Sequence, residues 1–164
     1  MDHQYYIRQI VESDIDGLVK TFTPWHKTRA QFERYHHLHQ LGNRVVLVAV
    51  IGDDIVGYVN LIWRTEYEHF RLAEIPEIVD LNVMTEHQRQ GIGSALITAC
   101  EVIARKHGKL VIGISVEQSP SYAAANRLYP SLGYIPDGKG ITEYDQELHL
   151  IKKINPSIST NSHE

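Results

Sequence analysis

Cysteine is nearly absent from this sequence: Cys100 is the single one in 164 residues. An intrachain disulfide is excluded, as is a metal centre built on paired thiolates, and a reducing compartment is the expectation. Positive charge is not in excess either. Sixteen Lys and Arg, scattered along the chain, stand against 20 Asp and Glu, a net charge of −4. That balance removes the electrostatic ground for a nucleic-acid or anionic-membrane partner. Long apolar runs are lacking too. The longest, VVLVAVI at 45–51, is far too short to span a bilayer. The opening residues MDHQYYIRQI carry neither a basic stretch nor an apolar core, so no signal peptide is read there and a cytoplasmic location is expected. No repeat and no linker divides the chain. With 43% apolar and 22% charged residues, it has the composition and length of one globular domain, expected over 1–154. The remainder, NPSISTNSHE (155–164), is expected to be disordered.

Periodicity supplies the elements. YYIRQI (5–10) reads as a strand. A helix follows with Ser13 as N-cap and Ile15, Leu18, Val19 and Phe22 on one face, stopped by Pro24. A second helix runs over 27–41 and ends at Gly42. RVVLVAVI, the turn GDD and IVGYVNLIW form a hairpin of buried strands. Residues 64–76 are polar, irregular and closed by Pro76, a predicted loop. EIVDLNVM (77–84) is a strand. The next helix carries an apolar stripe of Ile92, Ala95, Leu96, Ala99 and Ile103 and closes at Gly108. KLVIGISVE is a strand, and SPSYAAANRLY a short helix with Ser119 as N-cap and Pro120 first in the helix. YIPDGKGITEY and ELHLIKKI hold two closing strands. The order β-α-α-β-β-β-α-β-α-β-β predicts an α/β (α+β) fold, a mixed central sheet of about seven strands with helices on both faces.

The stretch TEHQRQGIGSALITACEVIARKHG (85–108) puts two glycines at the mouth of a long helix, directly after a strand. Unpaired N–H groups and the helix dipole make such a mouth attractive to a phosphate. Gly91 and Gly93 would let an anion reach the main chain, Arg89 adds positive charge and Ser94 a hydroxyl. A dinucleotide turn would need a third glycine where Ala95 and Leu96 stand, and a Walker loop would need a lysine after Gly93. Neither is present. The competing reading is a tight turn that merely joins strand to helix.

QRQGIGSAL resembles the Q/R-x-x-G-x-G/A signature of the GNAT superfamily of N-acetyltransferases, at Gln88, Arg89, Gln90, Gly91, Ile92 and Gly93. AAANRLYPSLGY resembles the family's second signature at Ala125, Leu128, Tyr129, Gly133 and Tyr134. With the element order, the likeness spans roughly 5–154. It implies that the glycine turn holds the pyrophosphate of acetyl-CoA, that the backbone at Leu81, Asn82 and Val83 pairs with the pantetheine arm like an added strand, and that Asn126 hydrogen-bonds the cofactor. Tyr129 is the implied proton donor to the departing thiolate. Pro130, directly after it, departs from the pattern and predicts that the helix ends at Tyr129.

The amine to be acetylated must lose a proton, and two carboxylates compete for that task. Glu77 lies eleven residues before Gln88, where histone-type members carry a glutamate. Asp80 lies where many small-molecule members carry an acid, and it is the favoured base here, because an acid inside IVDLNVM is unusual for a buried strand. Simple alternation sets Glu77 and Asp80 on opposite faces, a phase that a bulge would change. The oxyanion is expected at backbone N–H groups near Asn82. The histidines of RYHHLHQ (34–40) read as a solvated helix face without the further ligands a metal needs, so no metal is expected. The resemblance implies that this segment borders the acceptor pocket, with Trp25, Phe32, Tyr35 or one of these histidines against the acceptor, and Cys100 reads as core. Three functions are weighed. The first is direct acetyl transfer, through a ternary complex, from acetyl-CoA to a primary amine of a small molecule, which Glu66, Glu68, Glu74, Glu77 and Asp80 would suit if it is cationic. The others are a protein lysine or N-terminal acetyltransferase and a non-catalytic acyl-CoA sensor. Homodimers are common in the family.

Overall fold

The computed structural model describes residues 4–143 and 146–155; most of the predicted tail, 156–164, lies outside them. The chain divides into two compact units, 1–63 with 78–99, and 64–77 with 100–164.

In the first unit, strand β1 (Tyr5–Gln9) is followed by helices α1 (Asp14–Phe22) and α2 (Arg29–Gln40), strands β2 (Arg44–Ile51), β3 (Asp54–Ile62) and β4 (Glu77–Val83), and the first two turns of helix α4 (Ile92–Lys106). The strands lie in that order, and β1–β2 and β2–β3 pair antiparallel. Valine dominates β2, where β-branched side chains fit the pleat, and it is buried on both faces. Phe22, Phe32 and Tyr35 from the helices close over Val46, Val48 and Tyr58. Phe22 and Phe32 meet the Tyr58 ring edge-on, with centroids 4.9 and 5.3 Å away, an arrangement worth about 0.5–1.5 kcal/mol per pair beyond burial.

Ser13 does not cap α1. It is already helical and its side chain makes no capping bond. The first helical residue does that work: Asp14 accepts from the Val11 N–H at 2.8 Å and from both Arg8 terminal nitrogens at 2.6 and 2.7 Å. A carboxylate there also meets the positive end of the helix dipole.

The second unit holds helix α3 (Glu68–Leu72), the rest of α4, strand β5 (Val111–Glu117), helix α5 (Ala123–Ser131) and strands β6 (Ile135–Ile141) and β7 (Glu147–Lys153). β7 lies between β5 and β6 and pairs antiparallel with both. The seven strands and their helices agree with the predicted fold class, with α3 as the element the sequence missed: it occupies the predicted loop. Its Phe70 explains its place. The ring seats on Gly113 so closely that a Cβ there would fall 2.2 Å from it.

Two further expectations are corrected. Ser119 makes no side-chain cap; Pro120–Tyr122 form a 3₁₀ turn and α5 starts at Ala123. α5 also continues past Pro130 to Ser131. So close to the end, the proline forfeits only one helical bond. The Leu132 N–H reaches the Leu128 and Tyr129 carbonyls, and with Gly133 at φ 97 the Tyr134 N–H bonds back to the Tyr129 carbonyl, a left-handed termination. In α4 the deeply buried positions are Ile92, Leu96, Ile97, Cys100 and Ala104, so the stripe is rotated from the predicted one, and Cys100 is core as expected.

Candidate active site

In the first unit, a 3₁₀ turn, Thr85–His87, leads from β4 towards α4. Gln88 braces it, donating to the Val83 carbonyl at 2.9 Å. Arg89 and Gly91 both adopt left-handed backbone, φ 65 and 83, a geometry that turns successive N–H groups to one side as a nest for an anion. Gly93 lies inside the helix and not in the turn. Gln88, Arg89, Gln90 and Gly91 are exposed, Gly93 and Ser94 are half-buried, and the Ile92 side chain is core. The Ala95 N–H closes on the Gly91 carbonyl at 2.9 Å. By helix geometry the N–H groups before it have no intrahelical partner. Beside Arg89, this is a mouth fit for phosphate.

β4 carries the strongest departure from regular strand geometry. Asp80 has φ 50, which costs a residue with a Cβ about 1–2 kcal/mol. Its carboxylate is held on every side. Lys27 Nζ and Asn82 Nδ2 donate to Oδ1 at 2.9 and 2.8 Å. The Tyr35 and Tyr58 hydroxyls donate to Oδ2 at 2.7 and 2.9 Å. Burial raises the carboxyl's pKa, but the Lys27, Tyr35 and Tyr58 hydrogen bonds and the Lys27 charge outweigh it and hold the group below its ordinary value. Burial and the Asp80 charge push both phenols well above theirs. Lys27 and Tyr58 were missed from the sequence, and Tyr35 was named only as a neighbour of the acceptor. Phe32, named with it, is wholly buried. Leu81, Asn82 and Val83 are half-buried along β4, and a Cβ on Gly57 would come within 3.1 Å of the Asn82 carbonyl.

Of the histidines, His36 is buried and His39 accepts the Val46 N–H at 3.1 Å. No group of three or more His, Cys, Asp or Glu among the described residues could hold a metal ion.

In the second unit, Glu77 is 4% exposed and accepts from Thr65 Oγ1 at 3.3 Å on both oxygens. It opens on a cavity of about 340 Å³ that Thr65, Glu66, Tyr67, Glu68, Thr142, Glu147 and His149 also line. Glu74 is not part of that lining. Tyr67 and His149 stack with centroids 3.6 Å apart, and the Tyr67 hydroxyl donates to Asp137 at 2.6 Å, which locks the wall. The acidity of 64–77 was legible in the sequence; the contributions of Thr142, Glu147 and His149 were not.

Tyr129 is 6% exposed, and burial pushes its phenol up to about 12. Its ring leans on Tyr134, with centroids 6.4 Å apart. Asn126 is engaged internally: it donates to the Tyr122 and Glu117 carbonyls at 2.9 and 3.3 Å and accepts from Gln118 at 2.9 Å.

No curated protein sequence matches the chain, but solved structures share its fold. PaiA N-acetyltransferase from Thermoplasma acidophilum, in complex with coenzyme A, is 16% identical with a TM-score of 0.71, over 92% of this chain and 99% of that one. Ribosomal-protein-alanine N-acetyltransferase from Brucella melitensis is 20% identical with a TM-score of 0.72, over 91% and 99%. YncA from Salmonella typhimurium, solved with acetyl-CoA, is 19% identical with a TM-score of 0.71, over 97% and 99%. The sequence model of the acetyltransferase (GNAT) family matches residues 13–134, well over half of the chain and inclusive of the glycine turn, β4 and Tyr129, and the protein belongs to that family.

Proposed function

We propose that this protein moves the acetyl group of acetyl-CoA directly to a primary amine of a small cationic molecule, in a ternary complex. The observation that carries the reading is the cavity behind Glu77. Four of its eight lining residues are glutamates, and among the described residues no lysine, arginine or aliphatic side chain lines it. Such a wall attracts a cationic amine and repels an acidic acceptor.

The glycine turn, Gln88 to Ser94 with the Arg89 charge, receives the pyrophosphate, and Leu81, Asn82 and Val83 offer main-chain groups to the pantetheine arm. Asn126 fixes the end of β5 against α5. Glu77 takes the proton of the incoming ammonium, directly or through a water. The freed nitrogen attacks the acetyl carbon, the C–S bond breaks as Tyr129 gives its phenolic proton to the sulfur, and the extra proton on the acylated nitrogen passes through water to restore the phenol. Among the described residues the Tyr129 hydroxyl has no hydrogen-bond partner, which leaves its proton available. Asp80 is the weaker base of the two, because its oxygens already accept five hydrogen bonds.

Free-thiol release from acetyl-CoA tests the reading across small mono- and polyamines, amino acids and lysine-bearing peptides. Release with cationic small amines is expected. Release with peptides alone would replace this acceptor class by a protein one, and no release with any amine, acetyl-CoA being bound, would leave a sensor. Gly91→Val tests the turn. A branched side chain at φ 83 is strained by about 1–2 kcal/mol, so the acetyl-CoA KM is expected to rise about tenfold with little change in the amine KM.

A further inference from the structure

Lys27 stands between His26, itself left-handed at φ 61, and Thr28, the cap of α2. Its side chain crosses to β4 and ends against Asp80 Oδ1 at 2.9 Å. Phe22, Trp25, Phe32, Tyr35 and Tyr58 form the aromatic cluster of the same unit, and two of their phenols complete the carboxylate's surroundings.

We propose that Asp80, with the Tyr35 and Tyr58 hydroxyls, is a binding seat for a primary ammonium, and that the Lys27 ammonium fills it until an acceptor's own ammonium takes its place. This deepens the amine acetyltransferase reading and rests on it. The chain's own ammonium shows that the seat accepts one. Four of the five donors to the carboxylate, from Gln31, Tyr35, Tyr58 and Asn82, stay when Lys27 leaves. The carboxylate therefore keeps its aim, and one acceptor position on Oδ1 opens. Tyr58 is braced by Asn82 at 3.0 Å and Tyr35 by Gln31 at 2.8 Å, so the seat is preorganised. The Lys27 and Asp80 side chains are 23% and 20% exposed. The pair is therefore mostly buried yet reached by solvent, and exchanging one ammonium for another leaves the buried charge unchanged. A lysine ammonium on four methylenes is a mobile point charge, unlike the fixed fork of an arginine.

The bound ammonium is not the one that reacts. An amine needs its lone pair to attack, and a carboxylate held firmly ionised keeps a partner ammonium charged. The seat therefore anchors a second amino group, and the acceptor class it selects is a small molecule with at least two, at least one of them on an unbranched stem.

Putrescine and butylamine, which differ by one amino group, provide the test. The wild-type protein is expected to show a KM for putrescine at least tenfold below that for butylamine. Asp80→Asn is expected to erase the difference. Lys27→Met, which keeps the stem and removes the competing charge, is expected to lower the putrescine KM about fivefold. In protein carrying isotope-labelled lysine, the Lys27 ammonium signal, identified by its loss in Lys27→Met, should move to the free-lysine position on saturation with putrescine. A signal that stays in place, or a Lys27→Met variant with raised KM for both amines, overturns the proposal and leaves Lys27 a structural tether. A signal that moves without thiol release keeps the seat and sinks the transferase reading instead.

Discussion

Tyr129→Phe is expected to lower kcat for amine acetylation about 100-fold, within the range for loss of one general acid, while acetyl-CoA binds as before. The ring is buried and leans on Tyr134, so phenylalanine keeps the ring packing and removes the hydroxyl that carries the proton. The pH dependence gives a second readout. With the phenol pushed up to about 12, Tyr129 stays protonated throughout the working range, so the wild-type profile should show no alkaline fall belonging to this group below about pH 11. Unchanged turnover in the variant, measured by thiol release, would move proton donation to another group or to water.

Glu77→Gln should cost more, about 100- to 1000-fold in kcat at neutral pH, and the loss should shrink as the solution becomes alkaline. Without the carboxylate, only amine that is already neutral can react. Its fraction rises about tenfold per pH unit up to a pKa near 10, and the variant's rate should climb with it while the wild type changes less. Thr65 can donate to a glutamine oxygen as it does to the carboxylate, which keeps the local fold. If Glu77→Gln retains full activity and Asp80→Asn loses it together with the climb, the base is Asp80, and the five donors around it must then rearrange during turnover.

Much of the fold could be read directly from the residues, for identifiable reasons. β2 and β3 announce themselves by branched apolar runs around a glycine turn, and α4 by its 3.6-residue spacing closed by Gly108, which is indeed left-handed at φ 74. α3 could not be read, since five residues make little more than one helical turn and the segment is fixed by Phe70 meeting Gly113, 43 positions away in sequence. The caps at Ser13 and Ser119 failed because a nearby acid and a 3₁₀ turn, respectively, took their place. The glycine turn between β4 and α4 was legible because its backbone geometry is set locally. The surroundings of Asp80 were not: their donors come from 53, 45 and 22 residues upstream. Strand alternation also gives no sign that one residue of β4 would be left-handed.

The aromatic cluster of the first unit has a practical consequence. The chain has two tryptophans, and Trp25 stands two residues before Lys27 with its ring edge-on to Phe22, centroids 5.5 Å apart. Once Trp63 is changed to phenylalanine, the remaining indole is an intrinsic optical probe of that segment. Its emission and near-ultraviolet dichroism can follow the loop in stopped flow, at low concentration and without any attached dye. The order of events can then be timed: whether the loop responds when the thioester arrives, when the amine arrives, or only when both are present.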